Sequence, residues 1–321
     1  MEYTTVKPLF TGGAAAGRGR NVLLLAVGSK MPVPALMKLS TYHKRLGDRV
    51  FFGKPCNPDV VYATVIFQKH KAEALGLAKM FSCPVHLGGP AISNEGLPDE
   101  IEHLMPDYSL YGIDYAVGFT SRGCSRRCAF CSVFKLEGDI REHAPFREFV
   151  LPRHDKVLIL DNNFLMSPKC EEKLDYLLER RLAVSICQGL DARLITKDLA
   201  DKIARLRLYN WKFTDKALYT AWDRIEDEAE VLEGIDNLIE AGVKPRFIRP
   251  YVLVGFNSTL EQDVYRWKKL WKRGVYPFIM PYNRKFHPLR RYGQRPAYFK
   301  TTDIDVYLKQ IGIELKREVF A

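Results

Sequence analysis

No apolar run in this chain approaches the roughly 20 residues needed to cross a bilayer; the longest near the N-terminus is Val22–Val27. No membrane span is expected. The first twenty residues contain Gly12-Gly-Ala-Ala-Ala-Gly-Arg-Gly-Arg20 but no apolar core of the kind a secretion signal carries, so they read as a mobile leader. There is no P-loop, no HExxH and no Ser-His-Asp order, which removes the usual sequence signatures of nucleotide-phosphate cradles, zinc peptidases and triad hydrolases. A second CxxC or an HxxxH, which would complete a familiar zinc site, is missing as well. Acid is absent over one long stretch: Val264 to Thr302 contains no Asp or Glu.

What remains describes a globular chain of 321 residues, 47% hydrophobic and 27% charged, long enough for one large domain or two ordinary ones. It has seven cysteines, an odd number, and three of them crowd into one stretch, Gly118 to Cys131 (GFTSRGCSRRCAFC). Free thiols in this number point to a reducing cytoplasm. Cys56, Cys83, Cys170 and Cys187 are scattered through apolar or loop contexts and read as packing residues.

Cys124, Cys128 and Cys131 form a CxxxCxxC loop directly after an apolar, β-prone run, Tyr115–Thr120, and no further cysteine follows until Cys170. Thiolates are the usual ligands of four-iron clusters, so three from one loop leave one iron open to a small chelating molecule. The alternative is a zinc knuckle, with His103 or His143 as fourth ligand. With aromatic Phe130 preceding the last cysteine, the loop resembles that of radical S-adenosylmethionine (SAM) enzymes. The resemblance implies a 4Fe-4S cluster on Cys124, Cys128 and Cys131. It further implies SAM chelated to the open iron with Phe130 near its adenine, and reductive cleavage of SAM to methionine and a 5′-deoxyadenosyl radical that abstracts hydrogen. A small electron donor such as a flavodoxin or ferredoxin is implied too.

Strands and helices alternate along the whole chain, which predicts an α/β fold. After the leader (1–20), Asn21–Ala26, Val50–Phe52, Val60–Phe67 and Val85–Leu87 read as strands, with helices over Pro34–Leu46 and His70–Phe81, the latter facing inward through Leu75, Ala78 and Met80. This gives a small open parallel sheet over 21–110, a Rossmann-like unit. It loosely resembles the cobalamin-binding domain found in one branch of the family, but the DxHxxG loop is absent, and cobalamin is not expected. Gly88-Gly89-Pro90 is either a ligand approach at a strand end or a tight turn. Residues Pro98–Gly112 form a connector.

From the cysteine strand onward the rhythm resumes, with strands at Val157–Leu160, Ala183–Cys187, Ala217–Trp222, Phe247–Val254 and Pro277–Met280. Ser167 is expected to cap a helix reaching Arg181 with Pro168 at its first position. Thr196 caps the next helix, Gly242 ends the helix Asp227–Ala241, and Thr259 caps Leu260–Arg273. Six strands matches the partial (β/α)6 barrel of the resembled family, expected over 111–283, with its chemistry at the carboxyl ends of the strands. Residues 284–321 form a basic, aromatic extension ending in a helix, Ile304–Lys316.

The polar strand ends supply the remaining candidates for cofactor contact, with no catalytic residue assigned beyond the cluster. Asp161, Asn162 and Asn163 stand where the family has a Gly-Gly-Glu type segment near the SAM amino group; their oxygens suit an ammonium, and a plain helix-entry turn is the alternative. Gln188, Asp191 and Arg193 resemble the family's ribose and carboxylate contacts, with an internal Asp191–Arg193 pair as the structural alternative. Asp223 suits substrate or ribose, and Gly255 and Asn257 resemble the loop along the adenine, where a bare turn would use the same types. Arg122, Arg126 and Arg127 bring positive charge to the loop, and His143 is either a site residue or a packing one.

The chain's net charge is +11, and Val264–Thr302 holds eleven Lys or Arg, so the rest is neutral. Ten aromatics interleave with those cations. The mixture suits phosphate and unpaired bases, hence RNA or another anionic substrate, while the alternative buries the aromatics and solvates the lysines. The expected activity is thus a cytoplasmic radical SAM enzyme directed at nucleic-acid bases. A cobalamin-dependent methyltransferase and a non-catalytic, metal-stabilised nucleic-acid-binding module are the rivals. Methylthiolation would need three N-terminal cysteines, where only Cys56 and Cys83 stand.

Overall fold

The computed structural model describes residues 19–54, 56–93, 95–295 and 300–313. The expected leader up to residue 18, Tyr298, Phe299 and residues 314–316 of the expected last helix lie outside them, and that helix already ends at Gln310. The chain divides into two compact units, and among the described residues its three larger sheets are built of parallel strands in an α/β arrangement.

The first unit comprises the described residues up to Phe119 with Lys135–Gly138 and His143–His154. Its sheet has the order β2-β1-β3-β4, formed by β1 (Asn21–Val27), β2 (Arg49–Phe52), β3 (Val60–Val65) and β4 (Val85–Gly88), all parallel. Strand β1 is central, with Val22 in register with both Val50 and Val60. Side chains alternate across the sheet, so two cores form. Val22, Leu24 and Tyr62 pack with Leu36 and Leu39 of α1 (Pro34–Arg45) and Ile101 of α3 (Asp99–Glu102). Val27, Ala63, Val65 and Leu87 pack with Ala74 and Ala78 of α2 (Lys71–Ala78). Each large apolar side chain so buried contributes about 1.5–3 kcal/mol. Strand β5 (Ala116–Gly118) closes the unit's main run.

One reading of this unit needs correction, and one open alternative is decided. The second helix is shorter than expected, preceded by a 3-10 turn over Gln68–His70, and Met80 is 81% exposed rather than on the inner face, because the helix ends at Ala78. Gly88-Gly89-Pro90 is a tight turn: Gly89 has φ +94°, and a Cβ there would lie 2.7 Å from the Val65 carbonyl oxygen. Within the connector, α3 and a 3-10 turn at Tyr108–Leu110 form.

A buried polar cluster ties α1 to the following loop. His43, 1% exposed, approaches Asp48 with Nδ1 2.8 Å from Oδ2, and Arg20 donates to the same carboxylate at 3.0 Å. Burial pulls the imidazole pKa below its ordinary 6.5, with Asp48 acting the other way. Burial pushes the Asp48 carboxyl up, but hydrogen bonds from Arg20 and His43 outweigh it and hold it low. Both shifts act alike on stability. The unfolded chain takes up a proton on His43 below pH 6.5 while the folded chain resists, so folding stability falls as pH drops through that value. Urea melts at a series of pH values should show this decline, and His43→Gln should flatten it between about pH 7 and 5.

The second unit comprises Thr120–Phe134, Asp139–Glu142 and the described residues from Asp155 on. It opens with an antiparallel ribbon, β6 (Ser121–Arg122) against β7 (Arg141–Glu142), and α4 (Val133–Glu137) follows the cysteine loop. Strands β8 (Lys156–Ile159), β9 (Ala183–Ile186) and β10 (Arg207–Leu208) pair in parallel, as do β11 (Leu218–Ala221), β12 (Ile248–Val254) and β13 (Phe278–Pro281). A parallel bridge, Leu190 to Thr220, joins the end of β9 to β11.

Helices α5 (Cys170–Glu179), α6 (Lys197–Arg205), α7 (Glu228–Glu240) and α8 (Leu260–Lys272) connect these strands, followed by α9 (His287–Gly293) and α10 (Ile304–Gln310). The Thr196 and Thr259 caps form as expected, the latter with a reciprocal bond from Thr259 N to Gln262 Oε1, and Gly242 follows α7 with φ +98°. Ser167 does not cap α5. Its hydroxyl accepts from Lys173 Nζ at 2.6 Å and bonds Glu142, so the chain makes a 3-10 turn over Phe164–Met166 and the helix starts only at Cys170. The same helix stops short because Arg181 is left-handed, φ +49°.

Candidate functional site

The cysteine loop is shaped from outside itself. At the end of β8, Asp161 is fully buried and accepts four hydrogen bonds: from Thr120 N (2.6 Å), Thr120 Oγ1 (2.5 Å), Ser121 N (2.9 Å) and Ser121 Oγ (2.6 Å). Burial pushes its carboxyl above the ordinary carboxylate range against the pull of these donors. Next in sequence, Asn162 Oδ1 accepts from Gly123 N at 3.0 Å, where φ is +80°. Asn163 Nδ2 points at Cys124 Sγ, 3.7 Å away. The three polar residues after β8 therefore grip the start, the turn and the first cysteine of one loop. Asp161 and Asn162 hold backbone, and Asn163 alone of the three faces a thiol.

Within the loop, Ser125 N donates to Met166 Sδ at 3.3 Å, and Cys131 N to Cys128 O at 3.0 Å, a tight turn between the last two cysteines. Arg127 is left-handed, φ +51°, with its guanidinium 4.3 Å over the Phe134 ring and 3.4 Å from Asp139. All seven cysteines are free thiols, and those of the loop are half-buried. Burial raises the Cys128 and Cys131 thiols; Arg193 pulls Cys128 the other way, and Asp223 pushes both up.

Arg126 reaches across to the end of β9. Its Nε donates to Asp191 Oδ2 at 2.7 Å. Arg193 holds the same carboxylate bidentately, at 2.8 and 3.1 Å, and donates to Asp227 at 2.8 Å; Asn163 adds a fourth donor to Asp191 at 3.3 Å. Burial raises Asp191, but Arg193 and Arg126 outweigh it and keep the carboxyl low. Asp191 and Arg193 thus form the internal pair that their spacing allowed, and they also join the loop. Gly234 lets α7 pack against this turn: a Cβ there would lie 1.9 Å from the Ala192 carbonyl oxygen.

Asp223, at the end of β11, accepts from Leu253 N at 3.2 Å, and burial raises its pKa to about 6. Gly255, φ +79°, donates its N–H to Asp263 and packs beneath Phe286, whose ring a Cβ would meet at 2.0 Å. The loop reaches the cysteines through Phe256, which lies edge-on to Phe130 at 5.6 Å. Asn257 is exposed and left-handed, φ +47°, and Gln188 is exposed without a recorded bond. His143 is occupied elsewhere, bonded to Glu102 at 3.1 Å, as His103 is to Glu148 at 2.7 Å.

Sequence reasoning passed over Thr120, Ser121, Asp227 and Phe256. The first two carried a signal in their hydroxyls beside the loop; Asp227 looked like an ordinary helix start. Among the described residues, no three His, Cys, Asp or Glu side chains converge to hold a single metal ion. A four-iron cluster takes its thiolates on separate irons, so its ligands need not converge in that way. One buried acceptor beside the thiols, Asn163 Oδ1, has no partner. Three thiols on one loop, next to an unused buried amide oxygen and the Arg193 guanidinium, fit a sulfur-ligated cluster carrying a zwitterionic ligand.

No protein-family model matches the chain, and no curated protein matches it.

If Asp161 shapes the loop, Asp161→Asn should cost about 2–3 kcal/mol, because its amide would turn a donor toward donors. Asn162→Ala, which removes one acceptor, should cost about 1 kcal/mol. Urea denaturation of the two variants beside the wild type measures both.

Proposed function

We propose that this chain is a radical SAM enzyme whose Cys124, Cys128 and Cys131 hold a 4Fe-4S cluster. The observation that carries this reading is the clamp on the loop: three cysteines at CxxxCxxC spacing are fixed by Asp161, Asn162 and Asn163 from the end of the next parallel strand. Held by these three thiolates, such a cluster would supply the electron for reductive cleavage of SAM.

The chain's own residues take the remaining tasks. Asn163 Oδ1, buried and without a partner, accepts from the SAM ammonium. Arg193, already fixed by Asp191 and Asp227, offers positive charge to its carboxylate. Phe130 and Phe256 wall the adenine. Asp223 provides a carboxyl whose charge depends on pH near about 6, facing ribose or substrate. Gln188 and Asn257, both exposed, are free to turn toward the bound molecule.

On this reading β8, β9, β11, β12 and β13 wind as strands of a six-stranded partial barrel. The parallel β8–β9 and β11–β12–β13 pairings and the Leu190–Thr220 bridge support it. On the same reading the first unit is a Rossmann-like domain in which cobalamin is not expected, since no DxHxxG is present. Seven free thiols suit the reducing cytoplasm, where flavodoxin or ferredoxin would supply the electron. No helix among the described residues is long and apolar enough to cross a membrane.

Anaerobic iron and sulfide analysis with electron paramagnetic resonance of the dithionite-reduced protein tests the proposal. A four-iron signal should appear, change when SAM is added, and be absent in Cys128→Ala. Zinc in place of iron, or an iron signal indifferent to SAM, would refute it.

A further inference from the structure

The acid-free segment Val264–Thr302 is not uniformly charged on the surface. Arg266 is buried, paired with Asp263 at 2.6 Å and donating to the Trp222 and Leu253 carbonyls. Lys268 pairs with Asp305, Lys269 with Glu228 and Arg273 with Asp236. Four of the eleven cations are therefore neutralised by acids outside the segment, which corrects the picture of one continuous basic tail.

Of the other seven, four lie between Arg284 and Arg291. Arg284, Lys285, Arg290 and Arg291 are exposed, on the turn after β13 and on α9, and none has an ion-pair partner among the described residues. Beside them Tyr282 is 56% and Met280 42% exposed, although α9 buries Leu289 and Tyr292. Tyr282 is also the outer end of a row of rings. It lies edge-on to Phe256 at 4.7 Å, and Phe256 lies edge-on to Phe130, the neighbour of Cys131, at 5.6 Å.

We propose that Tyr282, Arg284, Lys285, Arg290 and Arg291 form a landing surface for single-stranded RNA. Unneutralised cations take phosphates, and an exposed flat ring takes an unpaired base. Duplexes hide their bases, whereas RNA loops and ends present them unstacked. An acidic peptide would satisfy the charges but leave the ring without a partner. The inference rests on the radical SAM reading in one respect: it makes an RNA base the group on which the radical acts.

Fluorescence anisotropy of the full-length, cluster-loaded protein tests it, with a fluorescein-labelled oligouridine of about 12 nucleotides as probe. Binding should weaken with salt. Arg290→Gln with Arg291→Gln should lower the slope of log Kd against log salt by about 1.4. Tyr282→Ala should weaken binding about tenfold at unchanged slope, and Tyr282→Phe should keep it. Absent binding overturns the proposal, as does indifference to Tyr282→Ala or equal affinity for duplex RNA, oligothymidine or polyglutamate. The paramagnetic signal of the same preparation separates the two readings. Lost RNA binding with the SAM-responsive signal intact sinks only this inference, and RNA binding retained in protein without that signal sinks only the proposed function.

Discussion

Asp161 meets no solvent and accepts from two backbone N–H groups and two hydroxyls, all belonging to Thr120 and Ser121. A buried carboxylate is costly unless its oxygens are fully engaged, and here four donors engage them. The direction in which the cysteine loop leaves Ser121 depends on that grip. So does everything farther along: Asn162 can meet Gly123, Asn163 can meet Cys124, and Arg126 can reach Asp191 only if the loop starts where Asp161 holds it. The site is thus assembled by backbone capture at strand ends, with the charged pairs added on top.

The same economy governs charge. Asp191 is shared by Arg126, Arg193 and Asn163, so the loop, the β9 end and the segment after β8 meet on one carboxylate. Arg193 in turn reaches Asp227 at the start of α7, and Gly234 admits that helix against Ala192 because it has no side chain. Arg266 shows the opposite use of a cation. Completely buried, it joins Asp263 to the carbonyls of Trp222 and Leu253 and stitches α8 to the β11 and β12 ends. Such a pair is costly to break from one side, since the survivor is an uncompensated buried charge.

Much of the architecture was legible because it follows from local rules. Strand-helix alternation, the Thr196 and Thr259 caps and the Gly242 stop are written in a few adjacent residues, and they appear where the spacing predicts. Ser167 was misleading for a physical reason: its hydroxyl is drawn to Lys173 and Glu142, partners that only the folded chain brings near. The cysteine spacing was plain in the sequence, but the loop's restraints were not. Thr120 to Asp161 and Arg126 to Asp191 are pairings between distant strand ends. The basic segment misled in the same way, since the acids that neutralise Lys268, Lys269 and Arg273 come from other helices or their ends.

The Arg126–Asp191 bond spans 65 residues, and the Asp161 grip spans about 40. During synthesis the three thiols are therefore added to the chain before the groups that shape their loop. At roughly 5–20 residues per second, the 65 residues from Arg126 to Asp191 take about 3–13 s to add. Through that interval the loop lacks the Arg126–Asp191 restraint, so its final shape is a property of the finished fold and not of the segment that carries the thiols.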